Sequence, residues 1–153
     1  LEVKKTSFLK ANQIPYIAMH MQNSPQTMQN NPSYNNIIQE ICQTFEQLID
    51  TLGGNYPLTL DPGIGFGKTQ VHNIQILQKL NVFKKFNKDI LIGVSNKSII
   101  GHFTSKEVSK RLAGSLAAAI YAHQQGADIL RVHHVDETVD AISIWKGLSG
   151  GIL

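Results

Sequence analysis

Along this chain, short and nearly continuous Ile/Leu/Val runs alternate with longer stretches in which apolar residues recur about every 3.6 positions. The short runs lie at 14–21 (IPYIAMHM), 57–61 (PLTLD), 89–95 (DILIGVS) and 128–133 (DILRVH), and predict strands buried on both faces, as parallel strands are. Between the first two, Ile37, Ile38, Ile41, Phe45, Leu48, Ile49 and Leu52 share one side of a helix that Gly53-Gly54 should end. A second helix carries Ile74, Leu77 and Leu80. A third is expected to open on Thr104-x-x-Glu107 as a capping box and to run through RLAGSLAAAIYAHQQ to Gly126. The last begins near Asp136 and turns Val139, Ile142 and Trp145 to one face.

Four strand–helix units with right-handed crossovers predict an α/β fold, either an open doubly wound sheet or a (β/α)8 TIM-type barrel. Four units make half a barrel, and a whole one takes about 250 residues. On the barrel reading the 153 residues form a single, incomplete domain, 1–153, and the opening segment 1–13 is the tail of a helix whose strand lies upstream. The absence of a Met at position 1 points the same way.

Composition narrows the partners. A 42% hydrophobic content is ordinary for a globular protein, and a net charge of +3 without a Lys/Arg cluster suits an anionic ligand rather than nucleic acid. The single Cys42 forms no internal disulfide and fits a reducing, cytoplasmic setting. The longest apolar stretch, around LAAAIYA, is far too short for a membrane span, so no membrane partner is expected.

In both architectures the chemistry belongs at the carboxyl ends of the strands. Those ends are polar here: Met19-His20-Met21-Gln22, Asp61, Ser95-Asn96-Lys97-Ser98 and Arg131-Val132-His133-His134. Strand ends often meet solvent, and any one of these residues alone is explained that way. Strand alternation, however, makes Arg131 and His133 share a face and Ser95 and Lys97 likewise share one, and a convergent Arg, Lys and His would make an anion site. Asp61 among these cations could accept from a planar donor pair, with Gly63, Gly65 and Gly67 keeping the approach clear.

The stretch LDPGIGFGKT looks like a phosphate loop but fails its spacing. The glycine required five positions before Gly67 is Pro62, and the dinucleotide fingerprint would need glycine where Lys68 stands. Six histidines show no ligand spacing with Cys42 or with one another, so no metal site is expected from this chain's side chains. No G-x-S-x-G nucleophile elbow is present.

With MHMQNSPQTMQ, LDPGIGFGKT followed by HN, GVSNKSIIG, RLAGSLAAA and ADILRVHHVDETVDA in order, the sequence resembles the dihydropteroate synthase family of pterin-binding (β/α)8 barrels. The resemblance covers nearly the whole chain and aligns its four strands with barrel strands five to eight. It implies condensation of 6-hydroxymethyl-7,8-dihydropterin pyrophosphate with p-aminobenzoate, in a sulfonamide-sensitive enzyme of folate biosynthesis.

It also implies roles. Asp61 and Lys97 would hydrogen-bond the pterin, Met19, Phe66 and Gly65 would contact it, Ser98 and Ser95 would meet p-aminobenzoate, and Arg131 and His133 would hold the pyrophosphate. Lys97, Arg131 and His133 are then the catalytic residues. Mg2+ would arrive with the pyrophosphate and take its protein ligands from early loops outside this chain, and the partner would be a second copy, docked through the carboxyl-terminal helices.

Three features depart from the family pattern. The NVTPDSF-like and GGEST-like loops of the first four strands are absent, so this half alone is expected to be inactive. Asn96 stands where the family usually has Arg, and His134 where it has Asp. Alternative readings are a methyltetrahydrofolate-using methyltransferase relative, a non-catalytic half-barrel module, and an open α/β phosphate binder. Arg131 and His133 favour the synthase, because a pyrophosphate leaving group calls for cations and a methyl transfer does not.

Overall fold

The computed structural model describes residues 3–150. Residues 1–2 and 151–153 of the expected domain lie outside the described residues. Helix α1 (Val3–Asn12) leads into β1 (Tyr16–Met19), and α2 (Ile37–Leu52) connects it to β2 (Leu58–Asp61). From there α3 (Gln70–Gln78) and a 3-10 segment (Leu80–Phe86) lead to β3 (Asp89–Ile92). Helices α4 (Ser98–Thr104) and α5 (Leu112–Gln124) then lead to β4 (Ile129–Leu130) and α6 (Val135–Leu148).

The four strands are parallel and lie in chain order β1-β2-β3-β4. That order decides between the two architectures. A doubly wound sheet reverses its strand order at a switch point. An unreversed order with helices between successive strands is the barrel pattern, and among the described residues β1 and β4 are the edge strands.

Helix α2 forms where the apolar period predicts it. Asn36 caps it by accepting from the Gln39 amide at 3.1 Å, and Glu40 reaches back to the amides of Asn35 and Asn36. Gly53, at φ 99°, ends it. Its buried face, Ile37, Ile41, Cys42, Phe45 and Leu52, packs into a core with Leu60, Ile76, Phe83, Ile90 and Ile92. The Phe45 ring meets Phe83 and Phe86 edge-on, at 5.8 and 6.0 Å between centroids. Truncating such a buried ring to Ala costs about 3–5 kcal/mol.

Several sequence expectations need correction. All four strands are shorter than their apolar runs, because the chain leaves the ladder to make loops. After β3, Lys97 N–H bonds back to the Val94 carbonyl at 3.2 Å, and Asn96 takes a left-handed φ of 59°. Only β2 and β3 are buried on both faces. On the edge strands Ile17 and Ile129 are 45% and 38% exposed.

The expected capping box at Thr104 does not form. Thr104 ends α4, its hydroxyl donating back to the Ile100 carbonyl at 2.8 Å, and Ser105 closes the helix at φ 55°. Helix α5 opens later, at Leu112. Among the described residues a capping box forms instead at Thr69, whose hydroxyl accepts from the His72 amide while the Thr69 amide donates to the His72 ring.

Candidate functional site

The carboxyl ends of β1, β2 and β3 and the chain after β4 come together around Asp61. Met19 and Asp61 are ladder partners at the ends of β1 and β2, and His20 N–H continues the ladder to the Asp61 carbonyl at 2.8 Å. Asp61 is 4% exposed, and its Oδ1 accepts from the Gly63 amide at 2.8 Å. Its Oδ2 lies 3.8 Å from an Arg131 guanidinium nitrogen.

Burial pushes the Asp61 carboxyl up from its ordinary value, while the Gly63 hydrogen bond and the charges of Lys97, Arg131 and Lys68 pull it down. The carboxylate therefore has one oxygen committed to the protein and the other beside a cation, at the rim of the sheet.

The glycine loop after Asp61 explains why its phosphate-loop look misleads. A phosphate cradle needs free amides. Here the Gly63 amide is given to Asp61, the Gly65 amide to Asn73 Oδ1 at 2.8 Å, and the Phe66 amide to the Gly63 carbonyl. The loop presents carbonyls inward instead, and lysines fill them. Lys97 donates to the Ile64 carbonyl, and its ammonium lies 4.5 Å over the Phe66 ring. Gly65 lies against it: a Cβ there would meet the Lys97 side chain at 3.4 Å, an ordinary contact, and it is the φ of +81° that favours glycine. Burial lowers the Lys97 pKa, opposed by Asp61 and assisted by Arg131.

The structure thus brings Met19, Asp61, Gly65, Phe66, Lys97 and Arg131 together. It sets His133 and Ser95 beside them as a separate pair, with His133 Nδ1 3.1 Å from the Ser95 hydroxyl, which also accepts from the His133 amide. Strand alternation is not what arranges these residues. Arg131 and His133 both lie beyond β4, one toward Asp61 and the other on Ser95, and Ser95 and Lys97 belong to a turn.

Ser98 bonds to a side chain of α3. It opens α4, and its exposed hydroxyl accepts from the Gln70 side chain at 2.9 Å. Asn96 turns to α5, where its amide and side chain meet the Ser115 hydroxyl. His134 lies 3.9 Å from Glu137 in the first turn of α6.

Sequence reasoning missed four residues that support this loop. Lys68 is 5% exposed, and its ammonium donates to the carbonyls of Phe66 and His20 and meets His20 Nδ1. Asn73 holds Gly65 from α3. Gln29 and Tyr34, in the long polar loop after β1, donate to the carbonyls of Gly65 and Gly67 at 2.7 and 2.8 Å. Nothing in the residue types marks them, because their role depends on which loop carbonyls and amides face inward.

Among the described residues no three His, Cys, Asp or Glu side chains converge as a metal would require. No helix among them is long and apolar enough to cross a membrane.

Comparison with known proteins agrees with this geometry. A family model described as "Pterin binding enzyme" matches residues 1–133. The dihydropteroate synthase of Escherichia coli is 44% identical over 135 residues, covering 86% of this chain and 48% of that protein. The chain therefore spans about half the length of the curated relatives it matches.

Two solved structures are similar throughout. Yersinia pestis dihydropteroate synthase, in a sulfonamide drug complex, superposes with a TM-score of 0.90 at 35% identity, covering 97% of this chain and 56% of that one. The Thermus thermophilus enzyme, in complex with 4-aminobenzoate, gives 0.89 at 30% identity, covering 97% and 61%. With the unreversed parallel sheet, the buried carboxylate at a strand end and these matches in hand, the chain belongs to the pterin-binding enzyme family.

Proposed function

We propose that this chain forms strands five to eight of a dihydropteroate synthase barrel. The enzyme would join p-aminobenzoate to 6-hydroxymethyl-7,8-dihydropterin pyrophosphate. The observation that carries the reading is Asp61, a carboxylate 4% exposed at a strand end, held by one backbone amide and flanked by Lys97 and Arg131. A buried carboxylate is costly unless its remaining acceptor sites are used, and the amino-pyrimidine edge of a pterin supplies two parallel donors for it.

In the proposed reaction the aryl amine attacks the methylene carbon of the pterin. The new C–N bond forms as the C–O bond to pyrophosphate breaks, and the nitrogen gives up a proton. Arg131, with its side chain 57% exposed, can follow the charge that develops on the leaving group. His133 is held by Ser95 for the same anion. Lys97 faces the pterin across Phe66, and Met19 and Gly65 supply apolar and backbone contact. Ser98 and Ser95 are assigned to p-aminobenzoate, an assignment that rests on the family resemblance.

Mg2+ belongs to this reaction with the pyrophosphate, but the described residues do not form a set that would hold it, and no step here passes through it. A cytoplasmic homodimer is part of the same proposal. An apolar groove of about 420 Å3 between α3, α4 and α5, bordered by Phe103 (68% exposed) and Tyr121, supports helices of this half as its contact.

Turnover tests the proposal. The chain mixed with the amino-terminal half of the Escherichia coli enzyme, both substrates and Mg2+ should yield dihydropteroate, and neither half alone should do so. Product-free mixtures in which the two halves nevertheless bind each other would leave the non-catalytic module as the better reading.

A further inference from the structure

Lys68 is a buried cation that the proposed reaction does not use. It makes no ion pair among the described residues, whose five charged pairs all lie elsewhere. Its ammonium has three neighbours at hydrogen-bond distance: the Phe66 carbonyl at 2.9 Å, the His20 carbonyl at 3.1 Å and His20 Nδ1 at 3.1 Å. One group therefore ties the tip of β1 to the far side of the glycine loop.

His20 and the same glycine loop also hold Asp61. The His20 amide donates to its carbonyl and the Gly63 amide to its Oδ1, both at 2.8 Å. The fit is close: a Cβ on Gly63 would lie 2.0 Å from the His20 carbonyl oxygen and 3.2 Å from the Lys68 ammonium. A loop that needed only closing could use a neutral amide donor, at less desolvation cost than an ammonium. A cation in this position gains from a nearby negative charge, and the acidic group buried here is Asp61.

We propose that Lys68 is a positioning residue for pterin binding, clamping the His20 and Phe66 carbonyls so that Gly63 fixes one oxygen of Asp61 and leaves the other for the ligand. This rests on the pterin role of Asp61 argued above. The charged and titratable groups around the clamp are His20 just past β1, Tyr34 from the loop that follows, Asp61 from β2, Lys97 and Arg131 from beyond β3 and β4, and His72 from α3. Burial draws the Lys68 pKa down to about 8, with Asp61 pulling it back up. The ammonium then loses one of its three donors within an accessible pH range, and the clamp loosens.

The first test needs no pterin and no variant. In the wild-type chain, the 13Cε signal of Lys68 and the amide signal of Gly63 are followed by NMR from about pH 6.5 to about pH 10. The expected result is a shared midpoint near 8. A Gly63 signal that ignores the Lys68 titration overturns the clamp.

The second test titrates 6-hydroxymethyl-7,8-dihydropterin pyrophosphate into wild type, Lys68→Met and Lys68→Gln across the same range. Wild-type affinity should weaken through the Lys68 midpoint. Both variants should bind at least about tenfold more weakly, with that pH step gone, because the loss of a charge-assisted contact is of this size. Variants that match wild type in affinity and pH profile overturn the positioning role and leave the Asp61 reading intact. A shared NMR midpoint in a chain that binds no pterin supports the clamp and overturns the pterin reading.

Discussion

Gly63 is the residue at which the site tolerates least change. It has φ +72°, and any Cβ would collide with the His20 carbonyl at 2.0 Å, a backbone atom that cannot rotate aside. Gly63→Ala should therefore destabilise the chain by about 3 kcal/mol or more, combining left-handed strain with overpacking. Urea unfolding measures this. His20 gives a pH signature. Burial, with Lys68 adding to it, lowers its pKa from 6.5 to about 4. The unfolded chain takes up the proton first, so stability is full above about pH 6.5 and falls as pH drops toward 4, by roughly 3 kcal/mol in all. Urea midpoints at pH 7 and pH 5 should differ in wild type and differ less in His20→Asn, whose amide oxygen can still accept from Lys68. At this scale the sequence was partly legible. Asp61 could be singled out because a carboxylate among glycines at a strand end is chemically conspicuous. Lys68 and Asn73 could not, because their role depends on which loop carbonyls and amides face inward, and no pattern of residue types encodes that.

At the scale of elements, two threonines separate what the local sequence suggests from what the chain does. Thr104-x-x-Glu107 matches a capping box, yet the Thr104 hydroxyl serves the helix that ends there, and Glu107 pairs at the surface with Lys110. Thr69, followed three residues later by His72, makes the box in fact. Thr69→Ala should cost about 1 kcal/mol and Thr104→Ala only a few tenths, by urea unfolding of the two variants. Equal costs would contradict the assignment. Helix α2 was legible because its burial is written as period, and β2 and β3 because they are buried on both faces; α6 follows its apolar period although Val139 on that face is 57% exposed and Thr138 is its buried residue. Helix α4 has no counterpart in the sequence reading, which opens its third helix only at Thr104: seven residues, SIIGHFT, are too few to show a period, and the tight approach of Gly101 to the Arg111 guanidinium at the start of α5 has no local signature. The strand ends were overrun because apolar residues such as Val94 continue into the turn, where they remain buried without pairing.

For the whole molecule, strand order does what periodicity could not. Alternating strands and helices fit both a doubly wound sheet and a barrel; the order β1-β2-β3-β4, with parallel pairing throughout, fits the barrel. It also collects four strand ends at one rim, so residues as distant in sequence as Met19 and Arg131 share a site. The central claim is that this rim reads a pterin through Asp61, and a direct binding titration tests it. Wild type and Asp61→Asn are titrated with 6-hydroxymethyl-7,8-dihydropterin pyrophosphate at constant pH and ionic strength, followed by calorimetry. The predicted result is saturable one-to-one binding by wild type and at least about a 100-fold loss in Asp61→Asn, whose amide keeps the shape but offers a donor where the ligand also donates. Binding of equal strength by both proteins would contradict the account.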